Sequence, residues 1–344
     1  MVQVRAVLTK QKMQSIPTFR AAHLYPHLSV LQKMGAPIDH GLRIARLPSI
    51  VTGTPDLYLP LFNTLNFLTS ISQSQGIDDL GFRAVENQTV ANLSDELHTA
   101  LCQAPTLNLA LQYFIKLASL EDSSVKLWTN TETNMLNAHS TLLIPCDQQA
   151  LRLSEWGQNM MLIAMVRMFA GKKWSPIEMA FQSSLPIGNY VREKFPNTRF
   201  LTGQKSAWVS LPISLLSLPP RKKCFIDQQT STENIIIKDD ASFPASLIKV
   251  IKSYLSDGYP TLELAAELAG TSSRTLQRHL KQYDLSYSNL VKLAQYEMAI
   301  EMLKDSCSSI SDIAGSVGYG DSSNFSRAFK KIAGTNPQQY RKSL

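Results

Sequence analysis

Between Thr261 and Lys330 the chain carries one short unit twice. The first copy runs Thr261-Leu-Glu-Leu-Ala-Ala-Glu-Leu-Ala-Gly270-Thr-Ser-Ser-Arg-Thr-Leu-Gln-Arg-His-Leu-Lys281. The second runs Ser309-Ile-Ser-Asp-Ile-Ala-Gly-Ser-Val-Gly318-Tyr-Gly-Asp-Ser-Ser-Asn-Phe-Ser-Arg-Ala-Phe-Lys330. Thr261 aligns with Ser309, Leu262 with Ile310, Ala266 with Ala314 and Gly270 with Gly318. One extra residue then enters the second copy, after which Leu276, Arg278, Leu280 and Lys281 align with Phe325, Arg327, Phe329 and Lys330. Because capping hydroxyl, small residue, glycine and apolar pair recur in one order, both copies must fold alike, as helix, glycine turn, helix.

The chemistry of each position agrees with that reading. Thr261 and Ser309 are placed to accept bonds from the unpaired amides at a helix start. Gly270 and Gly318 fall where the first helix must end in a sharp turn, and positive φ is expected there because glycine has no Cβ to clash. In the second helices, predicted over Ser272–Tyr283 and Asp321–Ala333, the pairs Leu276/Leu280 and Phe325/Phe329 stand four apart and mark a buried stripe. That leaves Arg274, Gln277, Arg278 and Lys281 on the remaining faces of the first, and Ser322, Ser323, Ser326, Arg327 and Lys330 on those of the second. Such faces suit the major groove of double-stranded DNA, where guanidinium bonds guanine bidentately, glutamine reads adenine and other cations meet phosphates. Arg278 and Arg327 are the foremost base or phosphate candidates. Gly258, before Pro260, lies in a loop outside both copies and is expected to accept a side chain.

Taken singly these patterns are common in ordinary helical cores. Their pairing, the helix-length segment Leu290–Leu303 between them and the closing Gly334-Thr-Asn-Pro-Gln-Gln-Tyr-Arg341 together resemble the AraC/XylS family of bacterial transcription regulators over residues 241–344. The resemblance implies two helix-turn-helix units bridged by a long helix, entering successive major-groove segments roughly one helical turn apart. It also implies a regulator of transcription that works with RNA polymerase, as activator or repressor. The chain departs from the family pattern at Gln295, four residues before Ala299 where an arginine is common, at Gly320 in place of a serine, and at Thr271 in place of a larger apolar residue.

Bulk charge would not have suggested this. The formal net charge is +7 over 344 residues, and 241–344 holds twelve Lys/Arg against nine Asp/Glu, so placement of the cations matters more than their number. Cys102, Cys146, Cys224 and Cys307 are widely spaced, with no metal-ligand pattern, and are read as free thiols. Met160–Phe169, the most apolar stretch, is too short to span a bilayer and contains Arg167. A cytoplasmic protein without membrane attachment is expected.

Residues 21–220 read as one mixed α/β regulatory domain after an N-terminal tail (1–20), with 221–240 a polar linker before the all-α 241–344 domain, an α+β chain overall. Helical spacing covers 57–71, 93–101, 107–120 and 156–170, and strand character covers 125–130, 136–144, 177–182 and 208–211. The stretch Phe181-Gln-Ser-Ser-Leu-Pro-Ile-Gly-Asn-Tyr190, with Phe195 and Trp208-Val-Ser-Leu-Pro212, resembles the N-terminal domain of one AraC-family branch described as arabinose-binding-like. That likeness implies effector sensing by a small molecule and self-association as a homodimer; the sugar in its label is not carried over.

No nucleophile elbow, zinc-protease motif, phosphate loop or dinucleotide fingerprint occurs, so neither catalysis nor a cofactor is expected. His139 and Ser140 are adjacent on a predicted strand and so point to opposite faces. A DNA-repair methyltransferase reading fails on cysteine spacing. Trp128, Trp156, Met160, Met161, Tyr190 and Trp208 are candidates for an apolar pocket, with ordinary core the more economical reading of each. A rival from another class is an interaction adaptor built on a degenerate DNA-binding fold, which would lack salt-dependent duplex binding.

Overall fold

The computed structural model describes residues 15–221, 242–305 and 308–344. The expected linker lies outside the described residues except for Arg221, as does the tail before residue 15. The chain forms two compact units, one from Phe19–Ala45 and Leu61–Asp239, the other from Met1–Thr18, Arg46–Pro60 and Asp240–Leu344.

In the first unit, eight helices are described: α1 (Tyr25–Lys33), α2 (Ile38–Ile44), α3 (Leu61–Ser74), α4 (Leu80–Val85), α5 (Asp95–Gln103), α6 (Leu107–Leu117), α7 (Gln148–Ala170) and α8 (Asn189–Lys194). They accompany a five-stranded sheet of β1 (Val125–Glu132), β2 (Met135–Leu142), β3 (Glu178–Ala180), β4 (Arg199–Leu201) and β5 (Ala207–Pro212), in the order β1-β2-β5-β3-β4. All neighbours are antiparallel except β3 and β4, whose parallel pairing is reached through α8. The long helix α7 starts where the Asp147 carboxylate accepts from the Gln149 and Ala150 amides, at 2.9 and 2.8 Å. It buries Trp156, Met160, Ile163 and Val166 in the same core as Met179 and Val209 of the sheet.

The expected helices and strands are present with shifted ends. Helix 57–71 begins later, at Leu61, and 156–170 extends back to Gln148, because the Asp147 cap rather than the first apolar residue sets its start. Sequence periodicity missed α1, α2, α4 and α8, each under ten residues and too short for a repeating stripe. His139 uses both ring nitrogens structurally, bonding Ser206 Oγ at 2.9 Å and Asn130 Oδ1 at 2.8 Å while stacking on Trp128. Cys146 is free as expected, whereas Cys102 is disulfide-bonded, which corrects the free-thiol reading there; Cys224 and Cys307 lie outside the described residues.

The second unit is helical: α9 (Phe243–Tyr254), α10 (Leu262–Leu268), α11 (Ser273–Lys281), α12 (Tyr287–Leu303), α13 (Ile310–Ser316), α14 (Ser322–Ala333) and α15 (Pro337–Lys342). Arg46–Pro60 clusters with these helices, although the sequence placed it inside the 21–220 domain. Its attachment is polar and long-range. The Tyr254 hydroxyl donates to the Arg46 carbonyl at 2.6 Å, the Ser49 amide and hydroxyl donate to Asp257, and Lys249 lies 5.0 Å from the Tyr58 ring centre. No helix among the described residues is long and apolar enough to cross a membrane.

Candidate nucleic-acid interface

The two copies match bond for bond at their turns. Gly270 has φ +65° and Gly318 φ +82°, both left-handed as expected. The Gly270 amide donates to Glu267 O (2.9 Å) and that of Thr271 to Ala266 O (2.8 Å). In the second copy the Gly318 amide donates to Gly315 O (3.0 Å) and that of Tyr319 to Ala314 O (2.9 Å). This pair of reversed bonds is the Schellman closure, which satisfies the last carbonyls of a helix and turns the chain into the next one. The accepting carbonyls belong to the aligned Ala266 and Ala314, whose small side chains are both buried.

The helix starts are capped as the hydroxyls predicted. Thr261 Oγ1 accepts from Leu264 N at 3.2 Å, and Ser309 forms a reciprocal capping box with Asp312. Ser272 caps α11 through Thr275 N, and Asp321 caps α14 through Asn324 N at 2.7 Å. The Asp321 carboxyl is held below the usual range, chiefly by that amide bond. Gly320 therefore precedes the capping residue rather than being it, and its departure from serine leaves the cap intact.

On α11, Leu276 and Leu280 are fully buried, whereas Arg274, Gln277, Arg278 and Lys281 are all exposed. Their spacing of three, four and seven residues puts them on one stripe. On α14, Phe325 and Phe329 are buried and Ser323, Arg327 and Lys330 exposed, with Ser326 half-buried on the same stripe; Ser322 is also half-buried and lies off it. Among the described residues no acidic side chain is ion-paired with Arg274, Arg278, Lys281 or Lys330, in contrast to Lys252, which is held by Glu297 and Glu301 at 3.0 Å each. The sequence reading overlooked Asn324, an exposed amide that bonds Asp321 and accepts from Arg327. Its signal was the Asp-x-x-Asn spacing at the helix start.

Helix α12 ties the copies together. Tyr287 donates its hydroxyl to Pro260 O at 2.7 Å, just before α10, and Gln295 donates from Nε2 to Val317 O at 2.8 Å in the second turn. Gln295 Oε1 also accepts from the Tyr319 hydroxyl at 3.3 Å. A residue that departs from the family pattern is thus buried and fully engaged. At the end of the chain Arg341 donates to Leu303 O (3.3 Å) and Ser308 O (2.7 Å), holding α15 against both sides of the entry to the second copy.

The family profile described as "Helix-turn-helix domain" matches residues 265–343. The chain is 28% identical over 141 residues to the ornithine utilization regulator of Pseudomonas aeruginosa, covering 40% of this chain and 41% of that protein. It is 32% identical over 115 residues to the raffinose operon transcriptional regulatory protein RafR of Pediococcus pentosaceus, covering 32% and 40%. The chain thus spans about two fifths of the length of these relatives. Among solved structures, the C-terminal domain of AraT, a response regulator from Geobacillus stearothermophilus, is 34% identical with a TM-score of 0.27, covering 29% of this chain and 84% of that one. The transcriptional regulator CdpR from Pseudomonas aeruginosa is 19% identical with a TM-score of 0.37, covering 89% and 96%. With its duplicated turns, bridging helix and paired exposed stripes, the C-terminal unit is a DNA-binding helix-turn-helix domain of the AraC/XylS type.

Proposed function

We propose that the whole protein is a sequence-specific transcription regulator whose two stripes, on α11 and α14, read successive major-groove segments of one operator. The observation that carries this is the pair of exposed stripes, each set by the same Schellman turn and the same buried apolar pair. Arg278 and Arg327 take base edges or phosphates, Arg274, Gln277 and Ser323 flank them, and Lys281 and Lys330 meet phosphates, with Ser322 and Ser326 nearer the backbone. Asn324 joins them as an adenine-reading amide. The N-terminal unit serves as an effector-sensing and dimerising module in the cytoplasm, and RNA polymerase is the protein partner; family resemblance supports these finer assignments, and a non-enzymatic role goes with them.

The test is duplex binding by the full chain, since Arg46–Pro60 packs with the C-terminal helices and a 241–344 fragment would lack it. Each phosphate-bound cation releases counterions, so log affinity should fall linearly with log salt, with a slope of about −0.9 per contact. Equal affinity for a footprinted target and a scrambled duplex at physiological salt would refute sequence-specific regulation by this domain, and loss of salt-dependent duplex binding would favour the adaptor reading.

A further inference from the structure

Inside the N-terminal unit lies a cavity of about 110 Å³, walled by apolar side chains that include Leu65, Leu68, Val85 and Phe114. A cavity of roughly 150 Å³ with such a lining takes up benzene, so the space is of single-ring size. One face of α7 borders it through Ser154, Gly157, Gln158 and Met161, spaced three or four apart along the helix. Of the six aromatic and methionine pocket candidates, Met161 alone is among the lining residues. Gly157 is unusual for the middle of a 23-residue helix, where glycine costs about 1 kcal/mol relative to alanine. Nothing lies within 4 Å of where its Cβ would stand. The absent side chain leaves room on the cavity side.

The buried polar atoms of the lining that have no partner among the described residues are of one kind. His27 is 6% exposed, and its Nδ1 is 3.2 Å from the His23 carbonyl oxygen. A carbonyl only accepts, so Nδ1 carries the proton. Burial pushes the imidazole down to about 4, so the ring is neutral near pH 7 and Nε2 is a bare acceptor, without a partner among the described residues. Gln158 donates from Nε2 to Ser154 Oγ at 2.8 Å, which leaves its carbonyl oxygen unpartnered, and the Gln88 carbonyl oxygen is likewise unpartnered. Buried acceptors left unmade cost about 1–3 kcal/mol each. Three of them on one apolar cavity call for a donor.

The carboxylates beside the cavity do not compete for that role. Glu121 accepts from His23 Nε2 (2.6 Å), Arg20 Nη1 (3.3 Å) and Ser94 N (2.8 Å), and Asp122 Oδ1 accepts from the Ser124 amide (2.9 Å) and hydroxyl (2.5 Å). A charged amine would shed its hydration against Leu, Val and Phe with both acids already engaged. A carboxylate ligand would set its lone pairs against three acceptors.

We propose that this cavity binds a small, neutral, largely apolar molecule of about one aromatic ring that carries an N–H or O–H donor. The inference deepens the effector reading of the N-terminal unit, and its test contains no DNA, so failure to bind and failure to regulate are read separately.

The experiment is calorimetric titration of the full chain with 4-methylphenol, toluene and 4-methylbenzoate, three probes that share a ring and methyl group. 4-Methylphenol should bind about tenfold or more tighter than toluene, the effect of one or two satisfied hydrogen bonds. 4-Methylbenzoate should bind more weakly than either. In a Gln88→Met/Gln158→Met variant, two acceptors go with little change of volume, and the phenol-to-toluene ratio should fall to about threefold or less with toluene affinity kept. Gly157→Leu should abolish binding of both. Gly157→Ala, which adds one methyl in open space and favours the helix, keeps the test valid if the leucine variant misfolds and should weaken both probes. Absent binding of 4-methylphenol, equal binding of phenol and toluene, preference for the benzoate, or affinity untouched by Gly157→Ala would each overturn the proposal.

Discussion

Gly318 offers the sharpest test of the duplicated architecture, because two separate penalties meet at one atom. At φ +82° a Cβ incurs left-handed strain of about 1–2 kcal/mol. It would also stand 2.9 Å from the Leu255 carbonyl oxygen, a backbone atom that cannot swing aside like a side-chain tip. Overpacking of that kind costs about 1–3 kcal/mol, so Gly318→Ala should destabilise the C-terminal unit by about 2–5 kcal/mol. Gly334, at φ +77° with nothing within 4 Å, meets only the first penalty, and Gly334→Ala should cost about 1–2 kcal/mol. Gly320→Ala meets neither. Gly258 is unsuitable as a control despite its loop position, because its φ of +114° strains any side chain; the sequence expectation of tolerance there was wrong. Trp128, Trp156, Trp174 and Trp208 all lie in the N-terminal unit, so tryptophan fluorescence follows that unit alone. Amide hydrogen exchange over 261–330 follows the other. The ladder of protection should run Gly320→Ala near wild type, Gly334→Ala lower by roughly tenfold, and Gly318→Ala lower by about 30-fold or more, with the fluorescence transition unmoved. Protection in Gly318→Ala within threefold of Gly320→Ala would refute the reasoning.

Other substitutions probe different levels. Arg278→Ala should cost roughly 1–3 kcal/mol of operator affinity and relax preference at one base position if it reads a base edge, or weaken all duplexes alike if it meets a phosphate; unchanged binding in both Arg278→Ala and Arg327→Ala, measured by fluorescence anisotropy, would sink the groove assignment. Gln295→Leu leaves the buried Val317 carbonyl unbonded and should cost about 1–3 kcal/mol, read as faster exchange at the second turn. His27 is depressed to about 4 by burial, so the stability it supports is complete above pH 6.5 and is lost as pH falls toward 4. The stability difference between wild type and His27→Phe, followed by tryptophan fluorescence, should therefore shrink or invert across that window; a difference independent of pH would contradict it.

What could be read before folding was local. A glycine at a turn that needs positive φ, a hydroxyl at a helix start and cations spaced three, four and seven apart each carry their meaning within one or two helical turns. Gly270, Gly318, Thr261, Ser309 and the α11 stripe were legible for that reason. Gln295 was not, because in sequence it is a mid-helix polar residue like any other, and its partner is a carbonyl 22 residues away in another helix. Arg46–Pro60 was misplaced on the same ground: its bonds to Tyr254 and Asp257 span 208 residues. The cavity escaped attention because its acceptors come from three separate segments, and its space depends on a missing side chain at Gly157.

The anchoring of α12 has a consequence for the operator. Tyr287 holds the start of the first copy and Gln295 the turn of the second, and the two anchors stand eight residues apart on one uninterrupted helix, about 12 Å along its axis. A connector of this kind acts as a ruler. Under the proposed groove reading, the DNA sites met by α11 and α14 must then lie at one fixed separation and one fixed rotational phase. Inserting half a helical repeat between them places the second site on the far side of the duplex, and inserting a full repeat restores the phase but not the reach, so neither spacer is tolerated as it would be with a flexible tether.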